Sequence, residues 1–352
     1  MQRNEIVRYV EDYAKSFGPC IKEGVSVLSV CQHKTRNVFE VVTSIGTYTA
    51  DQVVVATGGY HTPKIPRLAE RLPNSITQIH SSQYQNAQSL PEGGVMVVGT
   101  GQSGCQIAED LHLAGKKVHL CVGGAPRSPR EYRGKDVVDW LDQMGYYDIP
   151  IDEHPQKETV RSKTNHYVTG RGGGREIDLR QFATEGMRLH GRLNSIQDGQ
   201  FIFKTDLKKN LDYADSVAES IKGTIDKYIE KAQIEAPTEP KYKPTWEPDQ
   251  IPQNLETDEI STVIWSTGYN TDFSWIKVPV FDGKGYPGHE RGVSTAMEGL
   301  YFVGLPWLYT WGSARFSGIA RDATYLADCI ALKSKILPRQ SMKSVNEMAL
   351  GS

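Results

Sequence analysis

The feature that most constrains the fold of this chain is a glycine-rich segment between an apolar strand and an amphipathic helix. Gly99, Gly101 and Gly104 follow the apolar run 94–98 in the spacing G-x-G-x-x-G, and the pattern predicts a helix over 102–113. The first glycine allows a tight turn, the second a close approach of the backbone to a pyrophosphate, and the third close packing of helix and strand. The helix start offers free N–H groups to phosphates. The segment therefore predicts a dinucleotide site formed by Gly99, Gly101, Gln102, Ser103 and Gly104.

The residues after the next strand indicate which dinucleotide this site binds. The strand over 117–122 ends in Gly123 and Gly124, without the acidic residue that usually binds the ribose hydroxyls of NAD. Arg127, Arg130 and Arg133 follow, and guanidinium groups suit a 2′-phosphate. We therefore predict NADP(H) over NAD(H), with one or two of these arginines at the phosphate. The alternative for each arginine is a solvated loop charge.

Strand and helix patterns alternate along the chain and predict an α/β fold. The predicted helices cover 4–17, 102–113, 207–229 and 317–333, and the third carries an apolar stripe that fits plain packing. A hairpin is predicted at 44–46 between short strands, and the apolar run 52–58 predicts a buried parallel strand that feeds a turn. The Pro-, Lys- and Glu-rich stretch 236–254 predicts an exposed loop.

Composition excludes several classes of function. A net charge of −2 gives no general attraction to nucleic acid or to anionic membranes, and no apolar run reaches the length of a membrane span. The charged segment 1–17 does not resemble a secretory leader. The five cysteines include no C-x-x-C pair, which argues against a dithiol centre and a structural zinc and predicts reduced thiols in the cytoplasm. We expect Cys105 and Cys121 to be core residues.

Several further segments, in this order along the chain, resemble motifs of the flavin-containing monooxygenases. Val53–Gly58 with Pro63 and Pro66 resembles their A-T-G linker, and His80–Tyr84 the second half of their fingerprint. Thr262–Tyr269 resembles their second A-T-G-Y element, and Gly299–Gly304 their closing FAD-domain strand. The resemblance covers nearly the whole chain and is greatest to bacterial flavoproteins often labelled as linked to potassium transport.

The resemblance implies a two-dinucleotide, FAD/NAD(P) Rossmann-type fold in which an NADP domain is inserted into a truncated FAD domain. The implied domains are a remnant of the FAD domain over 1–91, an NADP domain with an insertion over 92–260, a return to the FAD domain over 261–340 and a tail over 341–352. Such proteins open with a first G-x-G-x-x-G, and its absence here predicts that roughly seventy to eighty residues are missing. Asn74 and Ile76 replace the expected Phe and Gly of the fingerprint, and Leu305-Pro306 stand where many FAD folds have an Asp.

The resemblance also implies a chemistry, in which NADPH reduces FAD and the flavin then passes electrons to oxygen or another acceptor. It places Thr57, Gly58, Thr267 and Gly268 near the flavin and nicotinamide, with His80, Ser81 and Gly304 at the cofactor. For His80 a satisfied buried histidine is the alternative. No catalytic acid or base and no metal ligand is predicted. The implied partner is a small-molecule substrate, and a homodimer stays open.

Three other interpretations remain. The chain could be a catalytically inactive NADP(H)-binding regulatory protein that senses redox state, which would fit the absent first glycine motif. A dithiol disulfide reductase is disfavoured by the lack of C-x-x-C. The aromatic cluster after the closing strand could line a substrate pocket or could be plain core or dimer packing; it consists of Trp307, Tyr309, Trp311, Arg315 and Phe316.

Overall fold

The computed structural model describes residues 3–336, so the predicted tail over 341–352 lies outside the described residues. Six α-helices lie in this range. They are α1 (Arg3–Phe17), α2 (Gln102–Leu113), α3 (Val137–Gln143), α4 (Leu179–Thr184), α5 (Leu207–Ala232) and α6 (Ile319–Ile336). The four predicted helices are confirmed as α1, α2, α5 and α6. None of the helices in 3–336 has the length and apolar character needed to cross a bilayer.

The strands of the described residues alternate with these helices. In chain order they are β1 (Val27–Gln32), β2 (Phe39–Thr43), β3 (Gly46–Ala50), β4 (Val53–Val55), β5 (Thr62–Pro63), β6 (Thr77–His80), β7 (Gly94–Val98), β8 (Val118–Cys121), β9 (Glu131–Tyr132), β10 (Lys135–Asp136), β11 (Arg188–His190), β12 (Leu193–Gln197), β13 (Gln200–Phe203), β14 (Asn254–Glu256), β15 (Ile260–Trp265), β16 (Tyr269–Asn270), β17 (His289–Glu290), β18 (Val293–Ser294) and β19 (Leu300–Phe302).

The chain divides into two compact units. Unit 1 contains the chain up to Glu23, Gly59–Ile149 and Pro155–Thr271, and unit 2 contains Gly24–Gly58, Pro150–His154 and the chain from Asp272 onward. Each unit has its own sheets, so each is described by itself.

A five-stranded sheet in the order β11-β8-β7-β15-β6 forms the centre of unit 1. All four of its ladders are parallel. Parallel sheets require cover on both faces, which explains why every residue of β7 is buried. Leu111 of α2 packs in a cluster with Val95 and Val97 on one face, whereas Met96 packs with Phe201 and Phe203 of β13 on the other. The predicted α/β Rossmann-type fold is therefore confirmed.

The long helix α5 buries the stripe that the sequence predicted. Leu207, Leu211, Ala214, Ala218 and Ile225 are all buried, at spacings of four, three, four and seven. The first two pack in the cluster that contains α2, and Ile225 packs with Trp140 of α3. The stripe is therefore core packing. The 236–254 stretch has no regular structure before β14, which confirms the predicted loop.

Unit 2 holds a three-stranded sheet β1-β2-β3 and a four-stranded sheet β17-β18-β19-β4. The hairpin between β2 and β3 is confirmed by their antiparallel register, Thr43 opposite Gly46. The strand β4 is parallel to β19, as predicted. The prediction that this strand is buried was wrong for Val54, which is 44% exposed, because successive side chains of a strand point to opposite faces and only Val53 and Val55 pack in the core cluster of unit 2.

Two buried histidines connect β8 to β11 in unit 1. Nδ1 of His119 lies 3.0 Å from Nε2 of His190, and the rings are stacked. Burial, and then the neighbouring His190 and Arg188, lowers the pKa of His119 to about 3. Burial, followed by the charge of Arg188, lowers the pKa of His190 to about 4. Both rings therefore stay neutral in the folded protein at neutral pH.

This pair predicts a loss of stability in mild acid. Below about pH 6.5 the two histidines are protonated in the unfolded chain but stay neutral in the folded protein. The free energy of unfolding therefore falls as the pH drops toward 4. The limiting slope is about 1.4 kcal/mol per pH unit for each histidine. Urea unfolding at pH 7, 6 and 5 measures this slope. His119→Gln removes one titrating ring and should flatten it. Identical slopes in the two proteins would contradict the assignment.

Candidate functional site

The glycine loop between β7 and α2 has the backbone geometry that its spacing predicts. Gly99 has φ +108°, and a Cβ there would lie 2.6 Å from the carbonyl oxygen of Ser266 after β15. A Cβ on Gly104 would lie 1.9 Å from the carbonyl oxygen of Gly99. Both positions exclude any side chain, because the atoms in the way belong to the backbone. These glycines therefore hold α2 close to β7.

Gly101 has a different role from the other two glycines. It is the N-cap of α2 in an extended conformation, with no side-chain hydrogen bond capping the helix. A Cβ on Gly101 would make one ordinary contact, 3.7 Å from Cγ2 of Thr164. The fold itself therefore tolerates a methyl group here. The uncapped start of a twelve-residue helix beside a glycine is the arrangement that receives a pyrophosphate, so the residues present fit a dinucleotide.

Gln102 and Ser103, the other two predicted residues of the loop, are placed differently. The side-chain amide of Gln102 donates to the carbonyl of Val168, and its Oε1 accepts from the N–H of Val168 at 3.1 Å. Nε2 of Gln106 donates to the same carbonyl at 2.9 Å. Gln102 therefore fixes the segment around Val168 beside the start of α2, whereas Ser103 is exposed. Val168 was not predictable from the sequence, because a contact made by the backbone leaves no signal in residue type.

The end of β8 is joined to the glycine loop by a hydrogen bond. Oγ1 of Thr100 accepts from the N–H of Gly123 at 2.9 Å. The N–H of Gly99 donates to the carbonyl of Cys121 at 3.2 Å. Cys121 and Cys105 are both buried, which confirms their prediction as core residues. The turn after β8, which has no acidic side chain, therefore lies directly beside the glycine loop.

The three arginines that follow β8 all have intramolecular partners. Arg127 is 2% exposed and pairs with Glu176 and Asp215. Burial opposes its charge, but these two carboxylates raise the pKa of Arg127 above its usual value. Arg130 pairs with Asp136 and Arg133 with Asp226. Of the three, Arg127 is the least accessible to a nucleotide, and Arg130 has the most exposed side chain, at 25%. None is the solvated loop charge of the alternative interpretation.

His80 is a buried and fully hydrogen-bonded histidine within unit 1. Its Nδ1 accepts from the N–H of Ser82 at 3.2 Å, so Nε2 carries the proton and donates to the carbonyl of Gly268 at 2.9 Å. That carbonyl also accepts from the N–H of Lys64 at 3.0 Å, and the hydroxyl of Thr267 donates to the carbonyl of Lys64. His80 therefore links β6 to the segment after β15, as its structural alternative predicts. A cofactor contact of His80 or of its neighbour Ser81 stays a prediction.

The remaining predicted cofactor residues lie together in unit 2. Thr57 and Gly58 follow β4, and Gly304 follows the parallel strand β19. A Cβ on Gly58, where φ is +68°, would lie 3.6 Å from the carbonyl of Gly304. The carboxyl ends of two parallel strands are therefore adjacent and lined by glycine backbone. A contact of these residues with FAD stays a prediction.

The aromatic cluster after β19 divides into buried and exposed members. Trp307 is 8% exposed and packs edge-on against His154, at 5.1 Å between ring centroids. The guanidinium of Arg315 lies 3.8 Å from the ring centroid of Trp311. Phe316 is 73% exposed. The first residues of the cluster are therefore core, and only its last aromatic faces solvent. Within residues 3–336 no group of three or more His, Cys, Asp or Glu side chains could hold a metal ion.

Comparison with known proteins agrees with this geometry. A family model described as pyridine nucleotide-disulphide oxidoreductase matches residues 1–170. An uncharacterized CzcO-like oxidoreductase of Geobacillus kaustophilus is 34% identical over 93% of this chain and 78% of its own length. The CzcO oxidoreductase of Bacillus subtilis is 30% identical over 92% of this chain and 77% of its own length. Both relatives align with more than nine-tenths of this chain.

Solved structures show the same fold at low sequence identity. A mutant flavin monooxygenase from Stenotrophomonas maltophilia aligns with a TM-score of 0.59 at 15% identity, over 94% of this chain and 77% of that one. The ornithine N-hydroxylase of Kutzneria sp. 744 aligns with a TM-score of 0.58 at 17% identity, over 95% of this chain and 77% of that one. With relatives at 30% identity or more over most of its length, the chain belongs to the flavin-dependent oxidoreductase family that includes the CzcO-like proteins.

Proposed function

We propose that this chain is an NADPH-dependent flavoprotein oxidoreductase of the monooxygenase type, with FAD and NADP(H) as its cofactors and a small molecule as its substrate. The observation that carries the proposal is the glycine loop, in which two glycines close-pack β7 and α2 while Gly101 leaves the helix start uncapped. Membership in an oxidoreductase family favours this enzyme over a regulatory NADP(H) sensor. We further propose the domain arrangement of the sequence analysis, with an NADP domain inserted in an FAD domain, and a location in the cytoplasm.

The chemistry that FAD would supply when bound is hydride acceptance from NADPH and electron transfer to oxygen or another acceptor. The chain's own residues bind and orient. The N–H groups at the start of α2 would bind the pyrophosphate of NADPH, and Gln102 would fix the neighbouring segment through Val168. Gly58 and Gly304, which lie together at the carboxyl ends of β4 and β19, would place backbone against the cofactor in unit 2. No side chain of the site is assigned as a general acid or base.

Visible absorption of the purified chain, before and after incubation with FAD and desalting, tests the proposal. A retained flavin band that bleaches when NADPH is added under anaerobic conditions is the expected result. A retained band that NADPH does not bleach would contradict the hydride transfer, and NADP⁺ binding with no flavin retained would favour the regulatory alternative. A matched titration with NADH measures the preference between the two nucleotides.

Arg130 is the arginine that we propose for the 2′-phosphate. Its side chain is the most exposed of the three arginines, and its partner Asp136 is itself 23% exposed. We expect Arg130→Ala to raise the KM for NADPH about tenfold while the KM for NADH changes less than about twofold, since one charge-assisted hydrogen bond contributes about 1.5–3 kcal/mol. Steady-state kinetics with both nucleotides measures the split. Equal losses for NADPH and NADH would remove Arg130 from the phosphate site.

A further inference from the structure

A cavity in unit 1 lies at the edge strand β11 of the parallel sheet, remote in sequence from the glycine loop. Its volume is about 630 Å³, within the usual range of small-molecule sites. Its wall includes β11, the residues before that strand, and the chain around β14. The proposed function uses none of its lining residues, which include His119, Met187, Leu189, His190, Trp246 and Leu255.

The buried histidine pair lies in the wall of this cavity and includes two polar atoms without partners. His119 is 0% and His190 is 4% exposed, and they use Nδ1 and Nε2 on each other. Nε2 of His119 and Nδ1 of His190 are buried without a hydrogen-bond partner in the described residues. A buried polar group without a partner costs free energy, so these two atoms indicate a ligand or a bound water.

The tautomers of the pair define what such a ligand must offer. In a neutral pair one proton lies between the rings, and each imidazole carries a single N–H. Whichever ring donates within the pair, one outer nitrogen is then a donor and the other an acceptor. The pair therefore matches a group that both donates and accepts, such as a hydroxyl or an amide.

The rest of the lining indicates an uncharged ligand with an apolar body. Leu189, Leu255 and the half-buried Trp246 provide apolar surface. At the rim, Glu259 pairs with Lys117 at 3.1 Å and with Arg188 at 3.5 Å. Oε1 of Glu256 accepts from Nε2 of Gln200 at 2.5 Å. Gln200 is neutral, so Glu256 keeps its negative charge, and Arg188 of the described lining already has an acidic partner; the lining therefore disfavours an anion.

We propose that this cavity is a second small-molecule site, separate from the dinucleotide site, which binds an uncharged and largely apolar molecule through a hydroxyl or amide held by His119 and His190. The proposal does not depend on the proposed function. The occupant could be a substrate-like metabolite or an effector, and both share this chemistry.

Binding of 2-naphthol to the full chain labelled with ¹⁵N-histidine tests the proposal. We expect saturable binding by calorimetry and shifts of two of the nine histidines in long-range ¹H–¹⁵N spectra, which also report the tautomers. The anion 2-naphthoate, with the same rings, should bind at least tenfold more weakly. No saturable binding of 2-naphthol, with both rings neutral and hydrogen-bonded, would mean that the cavity holds only ordered water and would overturn the proposal.

Three variants locate the binding. Ala183→Trp and Ile251→Trp fill the cavity from two sides while leaving the histidine pair in place, and each should weaken 2-naphthol binding at least tenfold. His119→Gln should weaken it about 3–10-fold, the amount expected for one hydrogen bond. His166→Gln, at an exposed position, should have no effect. The histidine spectra of each variant show whether it folds. Unchanged binding in either folded tryptophan variant would place 2-naphthol elsewhere and overturn the proposal.

Discussion

Gly101→Ala is expected to abolish high-affinity binding of NADP⁺ without changing the stability of the protein. The added methyl group meets only Cγ2 of Thr164, at 3.7 Å, and Gly101 has a φ of −64° that alanine adopts freely. The methyl group would instead occupy the position where the backbone approaches the pyrophosphate. We expect Kd to rise at least tenfold, about 1.4 kcal/mol, with the melting temperature unchanged. Calorimetric titration and thermal unfolding of the same sample measure both quantities.

Two other glycines provide matched controls. Gly104→Ala places its Cβ 1.9 Å from the carbonyl of Gly99, so it should lower stability by about 1–3 kcal/mol through overpacking as well as impairing binding. Gly223 lies inside α5, where an added Cβ would have no atom within 4 Å, so Gly223→Ala should leave binding intact and stabilise the helix by up to about 1 kcal/mol. If Gly101→Ala binds NADP⁺ as tightly as Gly223→Ala does, the helix start is not the pyrophosphate site.

Arg180→Ala is expected to cause a large loss of stability, about 3–5 kcal/mol. Arg180 is 1% exposed, and its guanidinium binds Asp212 at 2.6 Å and Asp215 at 2.8 Å on α5. It also donates to the carbonyl of Trp246 at 2.8 Å in the loop before β14. Asp215 holds the buried Arg127 as well. Removal of Arg180 therefore leaves buried charge with too few partners and detaches the loop from the helix.

Urea unfolding of Arg180→Ala and of Arg192→Ala separates burial from charge. Arg192 makes a similar pair with Asp206, at 2.6 Å, but its side chain is 55% exposed, so its loss should cost less than about 1 kcal/mol. Arg180→Lys keeps the charge but cannot reach all three partners, and we expect an intermediate loss. Equal stabilities of Arg180→Ala and Arg192→Ala would show that the buried cluster does not hold α5 in place.

Local patterns predicted the elements of this fold well. The apolar run before Gly99 and the apolar stripe of α5 both predicted burial, and both are buried in the structure. The loop glycines were predictable because the spacing G-x-G-x-x-G states a requirement of the backbone itself. Residue type also identified Cys105 and Cys121 as core. In each case the signal and its physical cause lie within a few consecutive residues.

Partners distant in sequence were not predictable. The sequence predicted Arg127 as a candidate phosphate ligand, but Glu176 and Asp215, which lie 49 and 88 positions further along the chain, bind it. The exposure of Val54 depends on which face of its sheet is covered, and apolar character alone does not indicate this. The histidine pair was missed for the same reason, since His119 and His190 are isolated in sequence and meet only through the parallel register of β8 and β11.

The parallel pairings impose an order on biosynthesis. In unit 1, β15 lies between β6 and β7, so these earlier strands remain without their neighbour until Trp265 has been synthesised and has left the ribosome. In unit 2, β4 lacks its parallel partner β19 until Phe302 has been synthesised. Long-range pairing of this kind is slow and exposes strand edges in the meantime. A nascent chain of this protein therefore carries unpaired strand edges until the residues of β15 and β19 have left the ribosome.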